Sequence, residues 1–398
     1  MILPLALIGL AILSAGVMAY GTEPNWAQYP HGIEFIMLSR RLEWPLVSIS
    51  ILLCIALIAL VVAGKRRAWF LIGLGPIVAL FAHHFNGPSV NSGIADGPAF
   101  VQVDPVQAVR GVAEDDYVVG LHFGGDDYAY PYAALFSMPV IVQADHDRRM
   151  LLIWNAYANR AMAMSIGHDL KARDLEIVSS PANALLLYNS RLGQFINGIT
   201  GRTPDGKKPA DVVDFVHTQK MTWRQWRGEH PQTKVLSLPQ PPPANSPTRP
   251  ILPAYPLPRM ATDRSAETIV AIVGDEHPIA LESQRIGPAP MNLDADSVPV
   301  FIVRESAEEP VLAFDRRLPD DLRPRFDLAR GRRVNGAMFI DRDTNSFWSA
   351  QGVWVAGSQE LKGKKLATIP VDDGLYWGVM KFWYPQLTLT SGNAAAPK

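Results

Sequence analysis

The sequence predicts a membrane-anchored chain, with N-terminal α-helical transmembrane segments followed by a β-rich (α+β) extracytoplasmic region made of two tandem pseudo-repeats. Three observations predict it. Three uncharged apolar runs crowd the first 85 residues. A basic cluster in the loop between two of them orients the segment. Beyond residue 100, short apolar runs recur in two halves that share landmarks around a proline-rich stretch.

The chain has 398 residues, with 37 Lys plus Arg against 38 Asp plus Glu and a formal net charge of −1. That balance excludes a field-driven nucleic-acid binder, which shows a basic excess. A hydrophobic content of 48% excludes an acidic disordered chain. Cys54 is the one cysteine, and it lies in an apolar run. One thiol builds no intrachain disulfide, Cys-rich zinc site or iron–sulfur cluster.

Residues 1–85 are expected to form three transmembrane helices, at about 1–20, 45–64 and 68–85. A spanning helix needs about 20 apolar residues, and the second run fits best. The third contains Pro76, which membrane helices tolerate when neighbours satisfy the freed carbonyl. The first run lacks a preceding Lys or Arg and carries only a weak small-residue motif (Ala15, Ala19). A retained helix is therefore expected rather than a cleaved signal peptide, with an uncleaved signal anchor left open. Lys65, Arg66 and Arg67 place the second loop in the cytoplasm by the positive-inside rule. The N-terminus is then cytoplasmic and everything after Phe85 lies outside. Arg40 and Arg41 oppose this orientation weakly, flanked by Glu34 and Glu43 in a stretch, 33–44, that reads as an amphipathic interfacial helix. Trp26, Trp44 and Trp69 lie near helix ends, where an aromatic belt forms.

The outer region reads as strands at 117–123, 140–143, 151–154, 184–188, 268–273, 300–303, 311–314 and 337–340, separated by Gly, Pro, Asp and Asn. The clearest helix is TWRQWRGEHP, with a capping box from Thr222 to Gln225. Between Leu238 and Pro258, nine of 21 residues are proline, so this is an extended connector. On its two sides Asn183 matches Asn335, Asn189 matches Asp341, Phe195 matches Phe347 and Trp223 matches Trp377, at a nearly constant offset. A period this long indicates tandem domains rather than a solenoid. The expected organisation is a first β-rich repeat at 100–237, a linker at 238–258 and a second repeat at 259–390, each with one short helix near its end (around Trp223 and around Trp377).

Several motifs carry a resemblance in their order along the chain: Ala129-Tyr130-Pro131, the Trp223-to-Pro231 helix with Lys234-Val235-Leu236-Ser237, Phe314-Asp315-Arg316, Asp341 to Trp348, and Trp383-Tyr384-Pro385. Residues 103–389 resemble the bacterial extracytoplasmic family known as domain of unknown function 3179. The resemblance implies a bacterial inner membrane with the large C-terminal region in the periplasm. Most of that family carries Tyr-Cys-Pro-Leu-Cys preceded by Trp-His-Glu-Ile-Val-Asn-Asp, a motif suited to a soft metal or a disulfide cycle. Here Asn155 and Ala158 take the cysteine positions, and the His-Glu pair falls near Met138 and Pro139. None of these is a thiolate or an imidazole. Asn189 and Ser190 also replace the Asp-Arg that the second half keeps at Asp341 and Arg342. The chain reads as a degenerate member in which the family's thiol or metal chemistry has no residues to perform it.

No HExxH or HxH spacing occurs, and no GxSxG. His83 and His84, where the third run leaves the membrane, are the candidates for haem or pigment ligation. Asp126 and Asp127, and Asp341 and Asp343, are the candidates for a divalent cation, though the latter lack the Gly and Glu of a helix–loop–helix calcium loop. The preferred reading of these acids is turn chemistry. No catalytic residue, metal or cofactor is predicted; bound lipid or pigment at the helices is the open alternative. The functional expectation is a non-catalytic accessory subunit of a larger bacterial membrane complex, photosynthetic or respiratory. Its partners are the lipid bilayer and other integral membrane subunits in a hetero-oligomer, not nucleic acid. The competing expectation is a membrane-tethered periplasmic enzyme or metal/ligand-binding protein with a relocated site.

Overall fold

The computed structural model describes residues 2–63, 74–75, 77–81, 84, 93–103, 111–145, 147–237, 242–258, 266–272, 279–295, 298–306, 309–329 and 334–390. Within them it is a β-rich α+β fold of several sheets with an α-helical N-terminal segment.

Helix α1 (Ile2–Tyr20) and helix α3 (Glu43–Val62) pack side by side, with α2 (Gly32–Arg41) between them in the chain. Among the described residues one helix, Glu43–Val62, is long and apolar enough to cross a membrane; Leu5–Tyr20 is a shorter apolar helix. Most of the third expected span, Pro76 and Trp69 included, lies outside the described residues, and its described part, 74–75, 77–81 and 84, is helical. Small and polar residues line the α1–α3 seam. Ala11, Ala15 and Leu57 are fully buried there, and the hydroxyls of Ser14 and Ser50 meet at 2.7 Å. Small side chains let the backbones approach, and a hydroxyl pair satisfies itself where no water is at hand. The outer faces stay apolar and open, with Leu13, Leu52, Ile55 and Val62 exposed.

Helix α2 does not present its apolar face to the surroundings. Ile36 is fully buried against Val178, Leu186 and Phe195 of the three-stranded sheet formed by Leu175–Ser179, Leu186–Asn189 and Gln194–Asn197. Arg40 donates Nε to both carboxylate oxygens of Glu176 at 2.9 and 3.0 Å and pairs with Glu43. The Arg40 and Arg41 guanidinium groups lie over the Tyr188 and Phe195 rings. The two arginines that sat awkwardly in the outer loop are thus used to dock the helix onto the β-rich body.

Two ladders organise that body. In the first, strands run in the order Thr218–Thr222, Tyr117–Phe123, Asp126–Pro131, Lys234–Leu236, Phe100–Gln102. In the second the order is Asp372–Tyr376, Thr268–Ile272, Ile279–Glu282, Thr388–Thr390. The sense of pairing matches strand for strand: antiparallel, antiparallel, then parallel. In both, a short helix precedes the parallel strand. After the small helix α4 (Tyr132–Ser137) come α5 (Trp223–Glu229) in the first ladder and α6 (Trp377–Trp383) in the second. The capping box at α5 forms as the sequence implies, with Thr222 N–H donating to Gln225 Oε1 at 3.1 Å. Trp223 and Trp226 are buried beneath it. A Cβ on Gly120 would strike the Trp226 ring at 2.3 Å, so the strand carries glycine where the indole lies across it.

The expected strands are found with shifted ends: 140–143 lengthens to Val140–Asp145, 151–154 to Arg148–Asn155 and 300–303 to Val298–Val303. The 268–273 run is seen as Thr268–Ile272, Val273 lying outside the described residues. Asp126–Pro131 and Arg160–Ile166 are strands the sequence pattern did not mark. Acid and proline obscured the former; Ala and Met, indifferent strand formers, obscured the latter. The proline-rich connector crosses the seam between the halves. Its Ala254 and Tyr255 amides donate to Asn183 Oδ1 at 2.9 and 2.8 Å, and Tyr376 Oη donates to the Ile251 carbonyl.

Candidate functional site

The ladders meet through their equivalent edge strands, Thr218–Thr222 and Asp372–Tyr376. The turn after Arg148–Asn155 enters this seam, and it holds the positions, Asn155 and Ala158, where the sequence resemblance expects the cysteines. Asn155 is 1% exposed and fully engaged. Its Nδ2 donates to the Gly198 carbonyl at 2.7 Å and the Arg160 carbonyl at 3.2 Å, while its Oδ1 accepts from Leu185 N–H at 2.8 Å. Ala158 is fully buried in one cluster with Ile269, Leu375, Trp377 and Met380 of the second ladder and α6. Asn159 follows in the left-handed region, at φ 48°. It accepts from Tyr132 Oη at 2.8 Å and donates to the carbonyl of Gly374, whose φ of 70° suits glycine. Met138 ends α4 as its C-cap and packs, partly buried, against the core of the first half. These positions are spent on hydrogen bonding and packing.

The acidic candidates separate rather than converge. Asp126 pairs with Lys234. Asp127 holds two imidazoles, His122 Nδ1 at 3.0 Å and His230 Nδ1 at 2.9 Å, and His230 stacks on Trp226. Burial pushes the Asp127 pKa up, but the His122 and His230 hydrogen bonds outweigh it and hold the carboxyl below its ordinary value. Asp341 is fully buried and closes a turn, accepting from Thr344 N–H and Oγ1 at 2.6 Å and from Trp348 Nε1 at 3.0 Å. Asp343 accepts from Arg325 N–H at 3.1 Å. His84 Nε2 lies 2.9 Å from Glu43 Oε1, and His83 lies outside the described residues. Among the described residues no group of three His, Cys, Asp or Glu side chains is placed to hold a metal ion.

A half-open cleft of about 880 Å³ lies on the seam, with a second of about 470 Å³ beside it. Both lie within the usual range for small-molecule sites. Between them sits an ionic cluster that sequence reasoning missed. Asp372 Oδ1 is 2.7 Å from Lys220 Nζ, and Asp372 Oδ2 is 3.6 Å from Arg160 Nε. The Lys220 and Arg160 side chains are 4% and 6% exposed. Burial lowers the Lys220 pKa, and Asp372 works against that shift. His217 stands at the mouth, open to solvent on one side; crowding by the protein lowers its pKa, again opposed by Asp372. Asp373 is taken by Arg304 and by Ser283 Oγ at 3.1 Å. The available signals were Arg160 and Lys220 inside otherwise uncharged stretches, and the Asp372-Asp373 pair just before Gly374.

No curated protein and no solved structure matches the chain. A family match exists and covers residues 88–287, beginning ahead of residue 103, where the resemblance starts, and stopping short of residue 389, where it ends. That match spans half of the chain, and the chain therefore belongs to the family described as "Protein of unknown function (DUF3179)".

Proposed function

We propose that the protein is a membrane-moored accessory subunit of a larger bacterial membrane complex, its β-rich body held in the periplasm to brace partner subunits. The observation that carries this reading is the docking of α2. A tether for a free-standing enzyme needs only a flexible linker. Here Arg40, Glu176 and buried Ile36 fasten the helical segment to the body at a set angle. A fixed angle is useful when the body must meet a neighbour standing in the same bilayer.

Three features support the rest. The exposed faces of α1 and α3 are apolar and suit lipid or partner helices. The positions aligned with the family's thiols are consumed by packing at Asn155 and Ala158. The matched strand orders of the two ladders support a duplicated unit, with repeats at 100–237 and 259–390 joined by the proline strap. A photosynthetic or respiratory assembly is a fitting host, and lipid or pigment against the helices a fitting ligand. Extraction in mild detergent followed by native electrophoresis and mass spectrometry tests the reading. Co-migration with integral membrane proteins is expected; a free monomer, under conditions that keep known complexes whole, overturns it. The competing reading, a ligand-binding protein with a relocated site, is favoured by one observation, the cleft at Arg160.

A further inference from the structure

We infer that the cleft on the seam between the two halves binds a small organic carboxylate, with Arg160 as the buried partner of the carboxylate and Arg202 as a second positive group on the cleft wall. The inference deepens the ligand-binding reading and is independent of membrane mooring, since every residue it uses belongs to the β-rich body.

Arg160 motivates it. A buried guanidinium ordinarily has its fork filled, because five fixed donors left without acceptors are costly. This one is not filled. Among the described residues Nε has no hydrogen-bond partner, and the polar contacts of the group are Asp372 at 3.6 Å and the Met380 sulfur at 3.7 Å. Its guanidinium carbon lies over the Tyr384 ring, 5.4 Å from the centroid. Asp372 does not complete the pairing: its nearer oxygen stands 3.6 Å from Nε, beyond hydrogen-bond distance, and its other oxygen lies 2.7 Å from Lys220 Nζ. Asp373 is already committed to Arg304 and Ser283. Among the described residues, the buried Lys220 and Arg160 side chains share the one carboxylate of Asp372, and Arg160 lines the cleft.

The walls describe the rest of the ligand. Phe215, Pro370 and Trp383 supply apolar surface, with Arg202 over the Phe215 ring at 5.8 Å. A planar guanidinium fork matches a planar carboxylate, since bidentate pairing with carboxylate is the geometry guanidinium favours. Apolar walls call for a carbon body behind the carboxylate rather than an inorganic ion. His217 lines the same cleft, and burial lowers its pKa.

The test uses the full-length protein in detergent micelles and fluorine NMR of 4-fluorophenylacetate, with empty micelles as the blank. The expected result is saturable line broadening, displaced by unlabelled phenylacetate and absent for uncharged 4-fluorophenylacetamide. Affinity should fall about tenfold or more in Arg160→Gln and several-fold in Arg202→Gln. Arg202→Gln keeps the test decisive if Arg160→Gln does not fold. No saturable binding by the wild type up to about 10 mM, a range in which fragment-sized ligands register, overturns the inference. So does equal binding of the amide, or wild-type affinity in Arg202→Gln. Displacement by inorganic phosphate at the same concentration as phenylacetate overturns the carboxylate assignment.

Discussion

Asn155 shows how one buried amide holds a turn together. Its amide supplies two donors and an acceptor to three backbone groups that the turn would otherwise strand. Asn155→Ala should cost about 3 kcal/mol or more, since it leaves three buried backbone groups unpaired and each costs about 1–3 kcal/mol. Chemical denaturation measures it, and a loss under 1 kcal/mol, about the worth of a single net hydrogen bond, would mean the turn is held by packing alone. Asp127 yields a pH prediction. Its folded pKa lies below the unfolded value, so its contribution is present above the unfolded pKa and is lost as pH falls through the folded one. From about pH 5 downward, the stability gap between wild type and Asp127→Asn should narrow and close. A gap that stays constant to low pH would show that the hydrogen-bonded geometry, not the charge, is what stabilises.

Helix α2 matters at the scale of the element. Its ten residues read as amphipathic in the sequence, and that much is visible from the spacing of Ile33, Ile36 and Met37 against Glu34, Arg40 and Arg41. What the spacing does not reveal is the surface that covers it. A membrane interface and a sheet carrying Val178, Leu186 and Phe195 are equally apolar, and a moment has no memory of which one it faces. A double-mutant cycle on Arg40→Gln and Glu176→Gln should give a coupling of about 1.5–3 kcal/mol. Amide exchange over 32–41 should quicken in either single variant while the strands Val140–Asp145 and Arg148–Asn155 stay protected. Unchanged exchange in α2 would remove the ion pair from the account of docking.

At the scale of the whole molecule, the orientation of the chain is open to direct labelling. In a Cys54→Ser background, Asp205→Cys should react with a membrane-impermeant maleimide in spheroplasts, and Lys65→Cys should react only after lysis. The reverse pattern would put the β-rich body in the cytoplasm and end the periplasmic reading. The seam between the halves is the other whole-molecule feature. It sets Lys220 of one half against Asp372 of the other, more than a hundred residues apart, and the cleft exists only because the two edge strands meet.

The sequence by itself determined the apolar helical segment, most of the strands, the capped helix at Trp223, its counterpart near Trp377 and the family. Each is written in local periodicity or in motifs whose order survives along the chain. Tertiary structure alone decided that Arg40 docks on Glu176, that Asp126 and Asp127 point to different partners, and that Arg160 faces a cleft with its fork unfilled. The physical reason is the same in each case. Hydrophobic period and turn chemistry act over a few residues, whereas charge pairing and burial depend on distances that only the packed chain sets.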